Sequence, residues 1–464
     1  SGGDIEHDFG YVNGHMKIFG ITKIRLGDYG MVLALLALCV LFSLLTLKRQ
    51  SGDGFQAVAE LINVIENKLP KEQVVLVVGA VNTDSAALAE AVYAEAREKG
   101  FERTRLLVGS PRDLRLVLDE LIEEEAFLGG IVTGGDAAKW LVWDQIGQNY
   151  PAFAGVRIAT PSERLWPDFL KASNLLAIVE RIVVIAIIAI GMTLVIITAG
   201  IDLSVGSLIA LSAVISASVV QILGGPEASG WVVALGFLSG ILSCGLIGLM
   251  AGGLVSRFKL PAFIVTLGVM MMARGLAFMT TGGFSIDQVP DSFVWLAQGR
   301  LAGIPNTVLL LLVIYGAAHV FMTRTRYGRY IYAVGGNAEA ARLTGVPVGA
   351  VVALVYTVSG LAAGLGGCLQ ASLVRAAAPN MANMYELYVI AAVVVGGTSL
   401  SGGSGKVLGT LIGAFIIAVI QNGMNLLGIQ SYTQMFTLGG VIVIAVLLDK
   451  ARQSGGIRQF LAGN

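Results

Sequence analysis

Cysteine and histidine are nearly absent. The 464-residue chain has three of each: Cys39, Cys244 and Cys368, and His7, His15 and His319. The cysteines fall singly in apolar runs, where they read as small packing residues. They do not form a disulfide framework, and the histidines have no zinc-ligand spacing. Charge is also thin. Charged residues make up 13% of the chain, against about a quarter in a soluble domain. Lysine plus arginine equals aspartate plus glutamate, 31 of each, so no basic field points to nucleic acid. No nucleophile–base pair and no metal set appears, which leaves an enzyme reading without support.

A nucleotide loop is missing too, although one stretch imitates it. GGTSLSGGSGKVLG, residues 396–409, resembles a phosphate-binding loop. That loop requires Gly, four residues, then Gly-Lys-Ser/Thr. Counting back from Gly405 and Lys406, the first glycine falls on Leu400, and the hydroxyl position is Val407. The plain reading is a Gly/Ser turn between two membrane helices.

What is abundant is apolar sequence. Hydrophobic residues make up 55% of the chain, with 60 glycines and a mean hydropathy of +0.77. A membrane helix needs about 20 apolar residues. The first candidate is 30–47, GMVLALLALCVLFSLLTL. No small-residue cleavage site follows it, so it reads as a retained span rather than a leader. Further spans are expected at 178–199, 204–223, 231–255, 261–280, 306–322, 349–371, 386–400, 407–427 and 433–449. The expected fold is a polytopic α-helical membrane protein of about ten spans.

Composition changes abruptly after the first span. Residues 48–172 read as soluble, with short apolar strands alternating with amphipathic helices. The expected strands are 74–80, 104–110, 129–135 and 156–162. The expected helices are 85–100, 111–125 and 136–147. That alternation implies a parallel, doubly wound sheet, which binds ligands at the carboxyl ends of its strands. Asn82, Asp84, Ser110 and Asp136 lie there. They are candidate ligand contacts, or helix caps in ordinary strand-to-helix turns. A dinucleotide fingerprint is absent. The expected organisation is a tail at 1–29, a span at 30–47, an α/β insert at 48–172, a core of about nine spans at 173–452 and a tail at 453–464.

Basic loop residues favour the cytoplasm. One set of loops holds Arg257, Lys259, Arg324, Arg326, Arg329, Arg342, Lys406, Lys450, Arg452 and Arg458; the other holds Arg300 and Arg375. The first set is expected inside, with both termini cytoplasmic and the insert outside. Lys48 and Arg49 run against this scheme.

Three stretches interrupt the apolar background. In GMTLVIITAGIDLSVGSLIALS (191–212), Asp202, Ser204 and Ser207 break an apolar run. Polar breaks of this kind line pathways, or cap the next helix. In 323–347 a basic segment leads to Gly-Gly-Asn and a short helix, Ala338 to Thr344, which suits partner docking or serves as a connector. In 385–429, Gln421, Asn422 and Asn425 share one helix face; they contact a solute or bond a neighbouring helix. Arg274 is a basic residue within a span, for the pathway or for packing.

These stretches resemble permeases of bacterial sugar importers of the ATP-binding-cassette class, the ribose, xylose and galactose type. The residues that carry the resemblance are GMTLVIITAGIDLSVGS, LPAFIVTLGVMMMARGLAFMTTGG (260–283), YAVGGNAEAARLTGV and YELYVIAAVVVGGTSLSGGSGKVLGTLIGA. The resemblance implies an inner-membrane permease that pairs with a second permease copy. It implies a separate cytoplasmic ATPase, carrying the ATP and magnesium, docked on Gly335, Gly336, Asn337, Glu339, Ala340, Ala341, Arg342 and Gly345. It also implies a solute-binding protein that delivers a monosaccharide. The chain departs from the pattern in its insert, which is similar to one lobe of a periplasmic sugar-binding protein. A single lobe cannot close around a sugar, so a docking platform is one expectation and a ligand-binding remnant another. Outside this class, a membrane sensor and an ion-driven carrier remain alternatives. The carrier needs buried acids, and Asp202 and Glu386 are the obvious ones.

Overall fold

The computed structural model describes residues 30–51 and 54–453. The tail expected at 1–29, and that expected at 453–464 beyond its first residue, lie outside the described residues. The chain divides into two compact units: 39–181 with 418–436, and 182–417 with the segments up to 38 and from 437.

Helix α1 (Gly30–Leu45) leads into strand β1 (Leu47–Ser51), then α2 (Phe55–Lys68), β2 (Val74–Ala80), α3 (Asp84–Glu98), β3 (Thr104–Gly109), α4 (Pro111–Glu123), β4 (Leu128–Thr133), α5 (Val142–Asn149), β5 (Arg157–Ala159) and β6 (Glu163–Pro167). Four of these strands form a parallel sheet in the order β3-β2-β4-β5. β2 is an unbroken apolar run because both faces are covered, and all seven of its residues are buried. Its side chains alternate as strand geometry requires. Val75 and Val77 pack with Leu61, Ile65, Leu88 and Val92 of α2 and α3. Val74, Leu76 and Val78 pack with Leu114, Leu118 and Ile146 of α4 and α5. Helix α2 is an addition to the expected elements. Its buried Ala57, Val58, Leu61, Ile62 and Ile65 follow the spacing of a one-sided helix.

β1 and β6 form a separate antiparallel ribbon, with Leu47 opposite Pro167 and Ser51 opposite Glu163. The Asp168 amide donates to the Thr46 carbonyl at 3.0 Å, and the Phe169 amide to the Thr46 hydroxyl at 3.1 Å. The chain therefore enters and leaves the α/β segment at adjacent positions, about one strand spacing apart.

The rest is helical: α6 (Ala172–Ile197), α7 (Val205–Leu223), α8 (Gly230–Phe258), α9 (Ala262–Thr281), α10 (Asp291–Gln298), a two-residue hairpin of β7 (Arg300–Leu301) and β8 (Ile304–Pro305), α11 (Asn306–Arg324), α12 (Arg326–Gly336), α13 (Ala338–Leu343), α14 (Val348–Val374), α15 (Tyr385–Val395), α16 (Val407–Leu426) and α17 (Ser431–Gln453). Seven are long and apolar enough to cross a membrane: α6, α7, α8, α9, α11, α14 and α16. Three shorter apolar helices are α1, α15 and the stretch Ser431–Leu447 of α17. The span expected at 386–400 stops at Val395. Gly397 there has φ +83°, which turns the chain out of the helix. Eleven residues rise about 16 Å, roughly half the hydrocarbon thickness.

Close helix packing explains many of the glycines. Gly236, Gly240, Cys244, Gly248 and Gly252 recur every fourth residue along α8, and all are buried. A Cβ on Gly248 would overlap the Tyr356 carbonyl of α14, and one on Gly360 the Cys244 carbonyl of α8. Such small-residue seams let backbones touch where lipid gives no hydrophobic drive. Cys244 and Cys368 are buried and free, serving as small residues of this packing.

Candidate functional site

Three of the sequence motifs converge at one place in the larger helical unit. The first is the end of α6 and the turn 198–204. The second is the α12–α13 corner. The third is the loop 396–406. The Gly403 amide donates to the Ile197 carbonyl at 2.8 Å. Gly335 fills the corner: a Cβ there would overlap the Ile197 carbonyl oxygen and lie 2.6 Å from the Gly403 nitrogen. The Tyr332 hydroxyl donates to the Gly405 carbonyl at 2.8 Å. Gly402 and Gly403 have φ of +84° and +72°, a region open to glycine at little cost. The Gly402 amide donates to the Ser399 carbonyl at 3.1 Å. The loop that imitates a phosphate cradle thus turns these amides onto protein carbonyls.

Asp202 fastens the turn. It is 2% exposed, and its carboxylate accepts from the Ser204 amide at 3.0 Å, the Ser204 hydroxyl at 2.6 Å and the Ser359 hydroxyl of α14 at 2.7 Å. Ser204 stands at the N-cap of α7. Ser207 is buried one turn on. Arg274, on α9, donates to the carbonyls of Pro379 and Met381, both at 2.8 Å. It ties down a loop in which Arg375, Ala382 and Met384 all have positive φ. In this chain Asp202, Ser204 and Arg274 hold backbone in place.

α13 projects from the corner. The Asn337 side chain caps it by accepting from the Ala340 amide at 2.9 Å. Ala341 faces inward, and Gly345 closes the helix at φ +87°. Gly336, Asn337, Glu339, Ala340 and Arg342 are exposed, with Arg342 and Glu339 paired at 2.9 Å. Leu343 is absent from the sequence-based candidates, yet it stands 82% exposed on this short helix. Its apolar identity within a charged turn is the signal that marks it.

The amides belong to the other unit. Asn422 exchanges two hydrogen bonds with Asn174, at 2.8 and 3.1 Å. Asn425 accepts from Gln434 at 2.8 Å. Both join helices; Gln421 has no hydrogen bond to another described side chain. In the α/β segment the chain reverses direction between β2 and β4, the switch position where such sheets take ligands. Asn82 (φ +59°) and Asp84 follow β2, and Asp136 follows β4. Asp84 accepts from Ser173 at 3.3 Å, and Asp136 pairs with Lys139 at 3.0 Å. Ser110 caps α4 in a reciprocal box with Asp113, whose carboxyl these hydrogen bonds hold below its usual range. The Thr133 hydroxyl, at the end of β4, is buried with no hydrogen-bond partner among the described residues.

Residues 174–446 match the family described as branched-chain amino acid transport system / permease component. The chain belongs to this permease family. Over 294 residues the permease is 43% identical to the ribose import permease protein of Escherichia coli (strain K12), covering 62% of this chain and 89% of the relative. It is 38% identical to the ribose import permease protein of Bacillus subtilis (strain 168) over 290 residues, 62% of this chain and 88% of the relative. It is 35% identical to the D-allose transport system permease protein of Escherichia coli (strain K12) over 311 residues, 67% and 93%. No solved structure matches the permease. The family match begins after the β1–β6 ribbon, so the whole glycine junction lies inside it and the parallel sheet outside it.

The tether at Asp202 has a measurable weight. Asp202→Ala takes the acceptor from the buried Ser204 amide and from the buried hydroxyls of Ser204 and Ser359; a buried donor left unsatisfied costs about 1–3 kcal/mol, and the hydroxyls can turn to other acceptors. The permease is expected to lose about 2–4 kcal/mol of stability. Asp202→Asn keeps one acceptor and lets Ser359 reverse its hydroxyl, so its loss is smaller. Thermal melting in detergent checks this, and an alanine variant that melts with the parent would remove the tether from the account.

Proposed function

We propose that the chain is the membrane-spanning subunit of an ATP-binding-cassette importer for a monosaccharide such as ribose, arabinose or allose. One observation carries the reading: the identity of 43% over 294 residues to a ribose import permease, with arabinose and allose permeases alongside. The sensor alternative finds no support, since these relatives are named as permeases.

In this reading ATP and magnesium are used by a separate cytoplasmic subunit, which docks on α13 around Gly335 to Gly345. Two permease copies line the path between them, and a solute-binding protein delivers the sugar. Seven long helices and three shorter apolar ones make up the ten passes, the pass of the short α15 being completed by the loops that flank it. Arg257, Lys259, Arg324, Arg326, Arg329, Arg342, Lys406 and Lys450 set the cytoplasmic face, and the α/β segment lies outside. Lys48, one of the two cations on the wrong side of that scheme, is ion-paired with Asp168 at 3.2 Å, which lowers its weight in the charge bias. The α/β segment acts as a docking platform. Ser110 and Asp136 are already engaged within it, which favours this role over ligand capture.

Uptake of labelled D-ribose, L-arabinose and D-allose by cells expressing the chain with its cognate ATPase and solute-binding protein tests the reading. ATP-dependent accumulation of one sugar is expected. Accumulation of none would overturn it.

A further inference from the structure

A cavity of about 440 Å³ opens where α7 and α9 end, within the range of small-molecule pockets, about 300–1,000 Å³. Its lining includes Ser218 and Gln221 of α7, Thr281 of α9, and Phe284, Asp287 and Gln288 of the loop after α9. We propose that this cavity is a receiving site for a monosaccharide on the side of the membrane remote from the ATPase, an inference that rests on the importer reading above.

Position is the first argument. α7 starts at the Asp202 turn, beside the glycine junction, and ends at the cavity. Its 19 residues span about 28 Å. The cavity and the docking corner therefore sit at opposite ends of one buried helix. On the proposed orientation the cavity faces outward.

Chemistry is the second. A sugar offers many neutral hydroxyls and an apolar C–H face. The cavity offers a carboxylate to accept from hydroxyls, two amides that both donate and accept, and hydroxyls that accept. Asp287, Gln221 and Gln288 make no side-chain hydrogen bond to other described residues, so their capacity is open. Phe284 is 79% exposed and presents a ring for the C–H face. The lining has no lysine, arginine or histidine, which disfavours an anion. One carboxylate is too few for a divalent cation of this hard type.

Rigidity is the third. Ile286 and Ala377 exchange two backbone hydrogen bonds at 2.8 Å. Val289 and Phe293 are buried just beyond. The loop that carries Phe284, Asp287 and Gln288 is thus pinned on both sides, which reduces the ordering cost of binding.

The test uses the full chain in nanodiscs, open on both faces, with Ile222→Cys, an exposed lining position with no hydrogen-bonding role, as a reporter for a maleimide. The unsubstituted chain supplies the background from its own cysteines. D-ribose, L-arabinose or D-allose, at about ten times its Kd, is expected to slow labelling about tenfold. Leu301→Cys, on the hairpin outside the cavity, is expected to label at the same rate with and without sugar. Adding Asp287→Asn is expected to raise the sugar concentration for half protection about tenfold, as for loss of a charged hydrogen bond. Labelling of Ile222→Cys that none of the three sugars slows would overturn the site, as would half protection that Asp287→Asn leaves within about twofold. Uptake by the unsubstituted chain reports separately on the importer reading, so the two can fail independently.

Discussion

Gly335→Val is expected to abolish sugar uptake, while Gly336→Ala, one residue away, leaves it intact. The two glycines are adjacent but their surroundings are opposite. At Gly335 the first added carbon would overlap the Ile197 carbonyl and crowd the Gly403 nitrogen. Both obstacles are backbone, so no rotamer relieves the clash. The α12–α13 corner would have to move away from α6, breaking the 2.8 Å bond from Gly403 to Ile197. Overpacking costs about 1–3 kcal/mol and an orphaned buried group a further ~1–3 kcal/mol. Together these approach the total stability of many domains, about 5–15 kcal/mol. At Gly336 nothing lies within 4 Å of the added carbon, and alanine suits a helix better than glycine. Uptake and detergent melting of the two variants, measured side by side, decide the matter. Equal behaviour would mean that the corner tolerates displacement and that the close approach is incidental.

How much of this was legible in the sequence depends on the range of each interaction. The strand Val74–Ala80 is legible because seven consecutive apolar residues can only be a doubly covered strand or a buried helix, and Gly79 and the polar run after it cut the length. The Ser110 cap of α4 is legible because its partner Asp113 is three residues away. Half of the Asp202 site is legible for the same reason, since Ser204 is two residues on. The other half is not: Ser359 lies 157 residues later, and no local pattern names it. Asn422 and Asn174 are 248 residues apart, so one helix face of amides reads equally as solute contact or as helix bonding. The meeting of Ile197, Gly335 and Gly403 is of the same kind. Helix α12 is a different case. RYGRYIYAVGG carries two arginines and three glycines, which mask the buried Gly328, Ile331 and Val334 at intervals of three. The partial length of α15 follows from Gly396 and Gly397, which open the Gly/Ser turn at 396–409 although the expected span runs on to 400.

Leu343→Asp is expected to weaken binding of the cognate ATPase about thirtyfold or more, and to lower sugar-stimulated ATP hydrolysis with it. Leu343 stands on a six-residue helix that is capped at both ends, by Asn337 and by Gly345. Such a short helix is marginal alone; here Ala341 anchors it and the caps hold its shape. Its outward face carries one large apolar side chain between the Glu339–Arg342 pair and the Gly345 turn. A single exposed leucine needs no explanation on an ordinary surface. On a rigid projecting helix it is the shape of an interface anchor, and such anchors carry about 2 kcal/mol or more on truncation, roughly thirtyfold in affinity. A buried unpaired carboxylate adds to that loss. The ion pair beside it is exposed, and exposed pairs contribute about 0–1 kcal/mol, so Arg342→Gln is expected to change affinity by less than about fivefold. Because Leu343 packs on little within the permease, Leu343→Asp should melt with the parent. Titration of the ATPase onto the permease in nanodiscs, with melting as the control, separates docking from folding. An affinity within about twofold of the parent would place the docking anchor elsewhere on the cytoplasmic face.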